Sequence, residues 1–341
     1  MKKVKVLVIY TGGTIGMVTD PQTGALTAFD FGDVYKHVPE LKKLNVELDT
    51  RAFEQPIDSS EMRVSDWKIL AQVIENNYTS YDGFVILHGS DTMAYTASAL
   101  SFMLIGLQKP VILTGSQLPI GTIRTDAREN LISAIEIAAQ KDETGAAIVQ
   151  EVAIYFEYSL YRGNRATKIS ASSFEAFQSP NCEPLAIAGV HLSFGKHLLK
   201  HKGSLDFFTD FEEKIAHIHV FPGIQWEVYA PLFDNQRVKG IVLETFGAGN
   251  VASDPRMQEL LSDFISNGGI VLNITQCSTG IVEQGKYETS SYLNKIGVIS
   301  GKDLTTETAL CKLMYVLGKH EGDKEKCTEL LKQSIVGEQA E

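Results

Sequence analysis

Residues 4–17 read Val-Lys-Val-Leu-Val-Ile-Tyr-Thr-Gly-Gly-Thr-Ile-Gly-Met, and they give the first indication of the fold class. The first seven form a β-branched, almost wholly apolar run, which is typical of a strand buried on both faces of a parallel sheet. The glycines that follow let the backbone turn sharply and pass close to a bound group. Because ligands of open α/β sheets bind at the carboxyl ends of strands, Thr11 and Thr14 stand where a site is expected.

Two nucleotide-binding patterns do not fit this turn. A dinucleotide fingerprint needs G-x-G-x-x-G and an acidic residue about 20 residues further on, whereas the glycines here fall at 12, 13 and 16. The G-K-[ST] of a phosphate-binding loop is absent. From this stretch alone two interpretations stay open, a structural turn whose threonine caps a backbone group and a hydroxyl nucleophile held at a strand end.

Composition indicates a globular chain with room for two domains. The chain has 341 residues, 44% hydrophobic and 21% charged, and a net charge of −11. This acidic balance argues against nucleic acid or an anionic membrane as partner, since both require a basic face. No run reaches about 18 apolar residues, so we expect no spanning helix.

The N-terminal residues and the cysteines lead us to expect a cytoplasmic protein. The apolar run after Met1-Lys2-Lys3 becomes the first strand, and no small-residue cleavage site follows it, so we expect no secretory signal. Cysteines 182, 277, 311 and 327 are scattered, without a C-x-x-C pair. Such spacing predicts reduced thiols, with neither a disulfide framework nor a zinc site.

Polar clusters follow several further predicted strands. We expect strands at 46–53, 83–88, 110–113 and 152–156, and helices at 94–107 and 126–140. The clusters are Asp58-Ser59-Ser60, Ser90-Asp91 and Thr114-Gly115-Ser116-Gln117. Because the carboxyl ends of parallel strands share one sheet edge, these clusters predict a polar pocket and favour Thr14 as part of it.

Three neighbouring segments bear on this pocket. The polar stretch from 18 to 33 is expected to form a lid. Ser65 is expected to cap an amphipathic helix that buries Trp67, Leu70, Val73 and Ile74, which leaves the 58–60 cluster for another purpose. The run 161–168, Tyr-Arg-Gly-Asn-Arg-Ala-Thr-Lys, is either a basic surface loop or a segment that turns one lysine into the pocket.

The C-terminal part predicts a second, smaller α/β domain. Residues 194–214 are rich in Lys, His, Gly and Ser and are expected to be a linker between domains at 1–193 and 215–341. Strands are expected at 216–220, 238–243 and 269–274. Helices are expected from Asp254-Pro255 with Gly268 past the end, and at 308–318 and 324–335. We therefore expect an α/β protein with a larger N-terminal parallel-sheet domain of flavodoxin-like or Rossmann-like type.

Five motifs together resemble the bacterial-type asparaginases, most closely their cytosolic type I branch. They are Tyr-Thr-Gly-Gly-Thr-Ile-Gly-Met at 10–17, Asp-Ser-Ser at 58–60, the run from His88 to Leu104, Thr-Gly-Ser-Gln at 114–117 and the run 161–168. The resemblance spans nearly the whole chain. It implies hydrolysis of L-asparagine to L-aspartate and ammonia without a metal or organic cofactor, by a cytoplasmic homodimer or homotetramer.

The resemblance also implies roles for individual residues. Thr14 corresponds to the nucleophile that forms a β-aspartyl ester. Ser90 corresponds to a second hydroxyl in a relay with Asp91 and Lys168. The implied substrate-binding residues are Asp58, Ser59, Ser60, Ser90, Asp91 and Gln117, with Asp91 pairing with the α-ammonium group.

The chain departs from the family pattern at two catalytic positions. The family usually has threonine where this chain has Ser90, so the hydroxyl is kept while the γ-methyl that restricts its rotamer is lost. Many relatives carry a tyrosine in the lid, but residues 18–30 contain none. The group that orients the Thr14 hydroxyl is then either Thr19 or a tyrosine of a partner subunit.

Four further positions concern contacts outside this pocket. Asn250 corresponds to a residue that approaches a neighbouring subunit's site, although a turn asparagine is an equal alternative. Thr167 and Cys277 match two residues of an asparagine effector site in type I relatives. Where that site has an arginine, this chain has Glu244, which would repel the effector's carboxylate. We expect weak or absent activation by asparagine, with Cys277 a buried structural thiol.

Other functions stay open on sequence grounds. The chain could be a non-catalytic amino-acid-binding or sensor protein on the same fold. It could also be a glutaminase-asparaginase, since one methylene separates the substrates and is worth only about 1–3 kcal/mol. An amidase acting on tRNA-linked glutamine ranks low because the chain is acidic.

Overall fold

The computed structural model describes residues 3–19, 26–28, 35, 38–285 and 288–341; the side chains at 18, 19, 26–28 and 288–290 lie outside that description. The chain divides into two compact units, Met1–Phe207 and Phe208–Glu341. The division falls inside the segment expected as a linker.

Unit 1 contains a large sheet with helices and several short strand pairs. Its strands are β1 (Val4–Tyr10), β2 (Met17–Thr19), β3 (Leu26–Ala28), β4 (Val46–Ala52), β5 (Gly83–Leu87), β6 (Leu104–Ile105), β7 (Val111–Thr114), β8 (Val152–Phe156), β9 (Ser159–Arg162), β10 (Thr167–Lys168), β11 (Phe177–Gln178), β12 (Ala186–Ala188), β13 (Leu192–Phe194) and β14 (Asp206–Phe207). Its helices are α1 (Val64–Asn77), α2 (Met93–Met103) and α3 (Ala127–Ala139).

The large sheet has the order β13-β12-β9-β8-β7-β5-β1-β4. Strands β8, β7, β5, β1 and β4 are parallel, whereas β9, β12 and β13 extend the sheet in antiparallel fashion. β5, β7 and β8 are buried at every residue, as their apolar runs predict. The register sets Tyr10 opposite Leu87 and Leu87 opposite Thr114, so the polar clusters begin at one sheet edge. The α/β fold class is confirmed.

Two predicted boundaries in unit 1 are wrong. The helix expected at 94–107 ends at Met103, because Leu104 and Ile105 form β6 and pair with β14. A continuous apolar run hides this change from helix to strand. The cap expected at Ser65 is also wrong: α1 begins after Arg63, whose N–H donates to Asp66 Oδ2 at 2.8 Å.

Other expectations in unit 1 hold in part. Trp67, Leu70, Val73 and Ile74 are buried along α1, as predicted. In the region expected as a lid, β2 and β3 form an antiparallel pair, and residues 20–25 and 29–34 lie outside the described part of the chain. The run 161–168 is no surface loop: it contains the end of β9, a 3-10 turn with a buried Arg165, and β10.

Unit 2 is a smaller parallel α/β unit. Its strands are β15 (Ile215–His219), β16 (Gly240–Thr245), β17 (Ile270–Thr275) and β18 (Ile299–Ser300), and its helices are α4 (Trp226–Tyr229), α5 (Pro255–Ser266), α6 (Glu288–Ile296), α7 (Thr306–Lys319) and α8 (Lys324–Lys332). The strands pair in chain order, all parallel. α5 begins as predicted, with Asp254 accepting from the N–H groups of Arg256 and Met257. α8 ends three residues before the expected Ile335.

Candidate active site

The candidate nucleophile begins a 3-10 turn, Thr14–Gly16, a few residues after β1. Gly12 and Gly13 precede it with φ angles of 139° and 86°, which favour glycine. A Cβ at Gly13 would lie 2.5 Å from the Gly89 backbone nitrogen, and one at Gly12 would collide with the backbone of Ile57. The turn that carries Thr14 is therefore in close backbone contact with the loops that follow β4 and β5.

The cluster after β4 is tied to the cluster after β5. Asp58 caps the turn Ser59–Glu61 by accepting from the Ser60 N–H at 3.0 Å and its hydroxyl at 2.9 Å. These two bonds hold the pKa of the exposed Asp58 carboxyl below its usual range, and the bond from the Ser60 N–H has the larger effect. Ser59 is buried, and its carbonyl accepts from the Thr92 hydroxyl at 2.6 Å. Sequence reasoning missed Thr92, because a threonine hydroxyl that donates to a distant backbone carbonyl has no distinctive sequence pattern.

The structure brings Lys168, Ser90 and Asp91 together from positions far apart in the chain. Lys168 Nζ lies 2.9 Å from Ser90 Oγ and 2.6 Å from Asp91 Oδ1. The lysine side chain is 16% exposed, whereas that of Asp91 is 63% exposed. Of the two interpretations of the run 161–168, the structure therefore favours the one in which a lysine turns toward the strand-end cluster.

A buried histidine supports the loop that carries Ser90. His88 is fully buried, with Nδ1 2.7 Å from the Gly89 carbonyl and Nε2 2.9 Å from the Thr96 hydroxyl. Because a carbonyl only accepts, Nδ1 carries the proton and Nε2 accepts from Thr96, which in turn accepts from Trp67 Nε1 at 3.0 Å. Burial lowers the pKa of His88 to about 4, so the ring is neutral at pH 7.

The loop after β7 is built on a buried carboxylate. Asp126 accepts from the N–H of Gln117 at 2.9 Å and from the N–H of Leu118 at 3.1 Å. The Gln117 side chain donates through Nε2 to the Ser173 carbonyl at 2.8 Å. Sequence reasoning placed Gln117 among the substrate-binding residues and missed both Asp126 and Ser173.

The identity of the group that orients the Thr14 hydroxyl stays a prediction. No hydrogen bond joins the Thr14 side chain to another residue within the described ranges. The side chain of Thr19, one of the two candidates, lies outside the described residues.

The candidate residues of unit 2 lie at or just after the carboxyl ends of β16 and β17. Glu244 Oε2 accepts from His217 Nε2 at 2.7 Å and from His219 Nδ1 at 3.2 Å. Burial raises the pKa of Glu244, but the two histidine bonds outweigh burial and hold it below its usual range. Cys277 is exposed, so the expectation of a buried thiol is wrong. Asn250 is half-buried, and its N–H donates to the Phe246 carbonyl at 2.8 Å.

Thr167, the remaining candidate for effector binding, is half-buried in β10 and pairs there with Gln178. In the described part of the chain, no group of three His, Cys, Asp or Glu side chains is arranged to hold a metal ion. The helices that the structure describes include none long and apolar enough to cross a bilayer.

Family models match both units. The model for the asparaginase N-terminal domain matches residues 5–200, and that for the glutaminase/asparaginase C-terminal domain matches residues 214–331. The chain therefore belongs to the asparaginase family, as the resemblance of its motifs implies.

Individual relatives support the same placement. L-asparaginase 1 of Escherichia coli K12 is 39% identical over 341 residues, which cover 99% of this chain and 98% of that protein. The crystal structure of L-asparaginase I from Vibrio cholerae matches with a TM-score of 0.90 and 37% identity, and it covers all of both chains. The expected likeness to the type I branch is confirmed. The human 60 kDa lysophospholipase is 37% identical over 98% of this chain and 61% of that protein.

Proposed function

We propose that this protein hydrolyses the side-chain amide of L-asparagine to L-aspartate and ammonia. The observation that carries the proposal is the contact of Lys168 Nζ with both Ser90 Oγ and Asp91 Oδ1, at 2.9 and 2.6 Å. It places a cation and a hydroxyl at the sheet edge where the Thr14 turn packs. A hydroxyl nucleophile needs such neighbours, because an alcohol is weakly nucleophilic without them.

In the first step the Thr14 oxygen attacks the amide carbon. The Thr14 O–C bond forms, the C–N bond breaks, and the hydroxyl proton leaves with ammonia, so a β-aspartyl ester remains. Backbone N–H groups of the surrounding loops would stabilise the negative charge that develops on the amide oxygen. In the second step a water molecule cleaves the ester, which releases aspartate and restores the Thr14 hydroxyl.

The relay residues assist proton movement in these steps. Lys168 donates to Ser90 Oγ, which leaves the Ser90 O–H free to donate toward the reacting groups. The positive charge of Lys168 stabilises an alkoxide at Ser90, and Asp91 balances that charge. Asp91 has a second carboxylate oxygen, to which we assign the substrate's α-ammonium group. We assign the binding of the substrate's α-carboxylate to the Ser59 hydroxyl and nearby N–H groups.

The test is ammonia release from asparagine and glutamine over a concentration series. We expect Thr14→Ala to lose at least about a thousandfold in kcat, and Thr14→Ser to keep measurable turnover because it keeps a hydroxyl. A Thr14→Ala variant as active as the parent would exclude the nucleophile assignment. No ammonia from either amide would instead favour an amino-acid-binding or sensor protein, and faster release from glutamine would indicate a glutaminase-asparaginase.

A second assay measures fatty-acid release from a lysophospholipid under the same conditions. Esters and amides share the acyl-enzyme route, and the relatives include a lysophospholipase at 37% identity. We expect no fatty-acid release above background. Fatty-acid release faster than ammonia release would contradict the proposed substrate.

We also propose a cytoplasmic homodimer or homotetramer, as the family resemblance implies. The support for the location is the likeness to L-asparaginase 1 and to a probable cytoplasmic L-asparaginase from Campylobacter jejuni, a structure 25% identical with a TM-score of 0.81. Sedimentation equilibrium measures the assembly, and a monomeric mass would contradict it.

A further inference from the structure

The strand that carries Lys168 is only two residues long. β10 pairs with β11 in a separate two-stranded sheet, with Thr167 opposite Gln178 and Lys168 opposite Phe177. An isolated strand pair of this size is marginally stable by itself. The distance from Lys168 Nζ to Ser90 therefore depends on what fixes the two ends of this hairpin.

The base of the hairpin is held by burial. Ala166 and Ala176 are fully buried, and the ring of Phe177 packs against Phe156 with centroids 5.1 Å apart. In addition, the Ser179 hydroxyl donates to the Arg165 carbonyl at 3.0 Å. These contacts fix the two strands of the hairpin as far as Ala176, which directly follows the tip at residues 170–175.

The tip of the hairpin, residues 170–175, lies largely in solvent. Its own bonds are local: Ser170 Oγ accepts from the N–H groups of Ser172 and Ser173 at 3.2 and 2.9 Å. Such bonds shape the turn but do not attach it to unit 1. Within the described ranges, the tip also receives a hydrogen bond from outside the hairpin. Gln117 donates it through Nε2 to the Ser173 carbonyl at 2.8 Å.

Gln117 is itself firmly placed. Its N–H donates to Asp126, a carboxylate only 6% exposed at the N-terminus of α3. Asn130, one turn further along α3, donates to the Gly115 carbonyl at 3.0 Å. A continuous set of bonds thus runs from helix α3 through the loop after β7 to the hairpin tip.

We propose that Gln117 is a positioning residue that tethers the hairpin tip and so holds Lys168 against Ser90. Its effect on turnover rests on the proposed function, whereas its effect on the tip does not. Its Nε2 donates to the Ser173 carbonyl, and the tethering role that we assign to it differs from the substrate binding that the motif implies. The expected consequence is a loss mainly in the chemical step, because the substrate-binding residues Ser59 and Asp91 lie on the loops after β4 and β5, whereas the tether acts on the position of Lys168.

The tether is tested with two variants of Gln117. Gln117→Met keeps the length of the side chain but removes the donor, and Gln117→Glu also sets a carboxylate against a carbonyl. For Gln117→Met we expect kcat to fall about tenfold with KM changed by less than about twofold, since small displacements of a catalytic group cost rate. Gln117→Glu should lose at least as much.

Two control variants lie on the same hairpin. Ser173→Ala keeps the carbonyl that accepts the bond, and Gln178→Leu changes an exposed side chain on β11. Both should match the parent in kcat and KM. A tenfold loss in either control would overturn the proposal, because the effect would then not depend on the Gln117 donor.

Hydrogen exchange separates the tether from the activity. The amides of residues 169–175 should exchange faster in Gln117→Met than in the parent and both controls. Unchanged exchange, or a raised KM at unchanged kcat, would overturn the proposal, the latter because it indicates a substrate contact. If the parent releases no ammonia, the proposed function fails, yet faster exchange still supports the tether.

Discussion

Ser90 supplies a hydroxyl where the family usually has threonine. Its Oγ accepts from Lys168 at 2.9 Å, and a threonine would keep this bond while its γ-methyl restricts the rotamer. We therefore expect Ser90→Thr to keep kcat within about threefold of the parent. Ser90→Ala should lower kcat by about 10²–10⁴, the range typical for loss of a proton-transfer group. Ammonia-release kinetics distinguish these outcomes, and a fully active Ser90→Ala would contradict the relay.

His88 makes the stability of the protein depend on pH. Its folded-state pKa is about 4, against an ordinary value of 6.5, so between these pH values the unfolded chain binds a proton that the folded chain does not. The free energy of unfolding therefore falls as the pH is lowered through this window, by about 3 kcal/mol from this group alone.

The measurement is urea unfolding at pH 7 and pH 4. His88→Gln should show a smaller difference between the two pH values than the parent, although its stability at pH 7 is lower. The exposed His191→Gln serves as the control and should keep the difference found in the parent. Equal differences in the parent and His88→Gln would show that His88 is not the titrating group.

At the scale of elements, long apolar runs made the central sheet predictable. β1, β5 and β7 are each marked by an apolar run, and the polar residues after them predict a shared edge. From the residues alone, a lysine that turns into the pocket is one of two alternatives, and only the family resemblance implies a relay of Lys168 with Ser90. Composition does not reveal which side chains meet when they lie 77–78 residues apart in the sequence, as Lys168 does from Asp91 and Ser90.

The elements that the sequence does not predict are short or show no periodic pattern of hydrophobic residues. β9 and β10 lie in a run of mixed polar and basic residues, where neither alternation nor a helical stripe is visible. The tether from Gln117 to Ser173 joins a side chain to a backbone carbonyl 56 residues away, and any residue type could supply that carbonyl. Contacts of this kind depend on tertiary structure and leave no mark in a single sequence.

The C-terminal segment after α8 is attached through a buried ion pair. Lys312 on α7 lies 2.7 Å from Glu338, and both side chains are fully buried. Lys312 also donates to the Gln333 carbonyl at 2.6 Å, and Glu338 accepts from the Val336 N–H at 2.7 Å. Every partner is therefore supplied by protein groups, which is what makes burial of the two charges tolerable.

Breaking this pair should be costly. We expect Lys312→Met to lower the free energy of unfolding by about 3–5 kcal/mol, because it leaves the Glu338 charge buried without its cation. The double variant Lys312→Met/Glu338→Gln should recover at least about 1 kcal/mol of that loss. Lys326→Met removes an exposed pair with Glu329 and should lower the free energy of unfolding far less than Lys312→Met does, because solvent screens the exposed pair. A similar loss in both lysine variants, measured by urea unfolding, would contradict this account.

At the scale of the whole molecule, Glu244 bears on regulation. The type I resemblance implies an effector site with an arginine where this chain has Glu244. The carboxylate is occupied by bonds from His217 and His219, and its pKa lies below the usual range, so it is charged at pH 7. An effector's α-carboxylate would meet a like charge there instead of a cation, and the coupling free energy between effector and substrate would vanish.

We therefore expect the rate of ammonia release to rise hyperbolically with asparagine, with a Hill coefficient of about 1. Preincubation with asparagine should leave the initial rate unchanged. Glu244→Gln, which removes the charge but keeps an acceptor for the histidines, tests whether repulsion alone is responsible. If repulsion is the only obstacle, this variant becomes sigmoidal; if a cation is also required, as we expect, it stays hyperbolic. Sigmoidal kinetics in the parent would contradict the prediction, because an effector would then bind despite the carboxylate at this position.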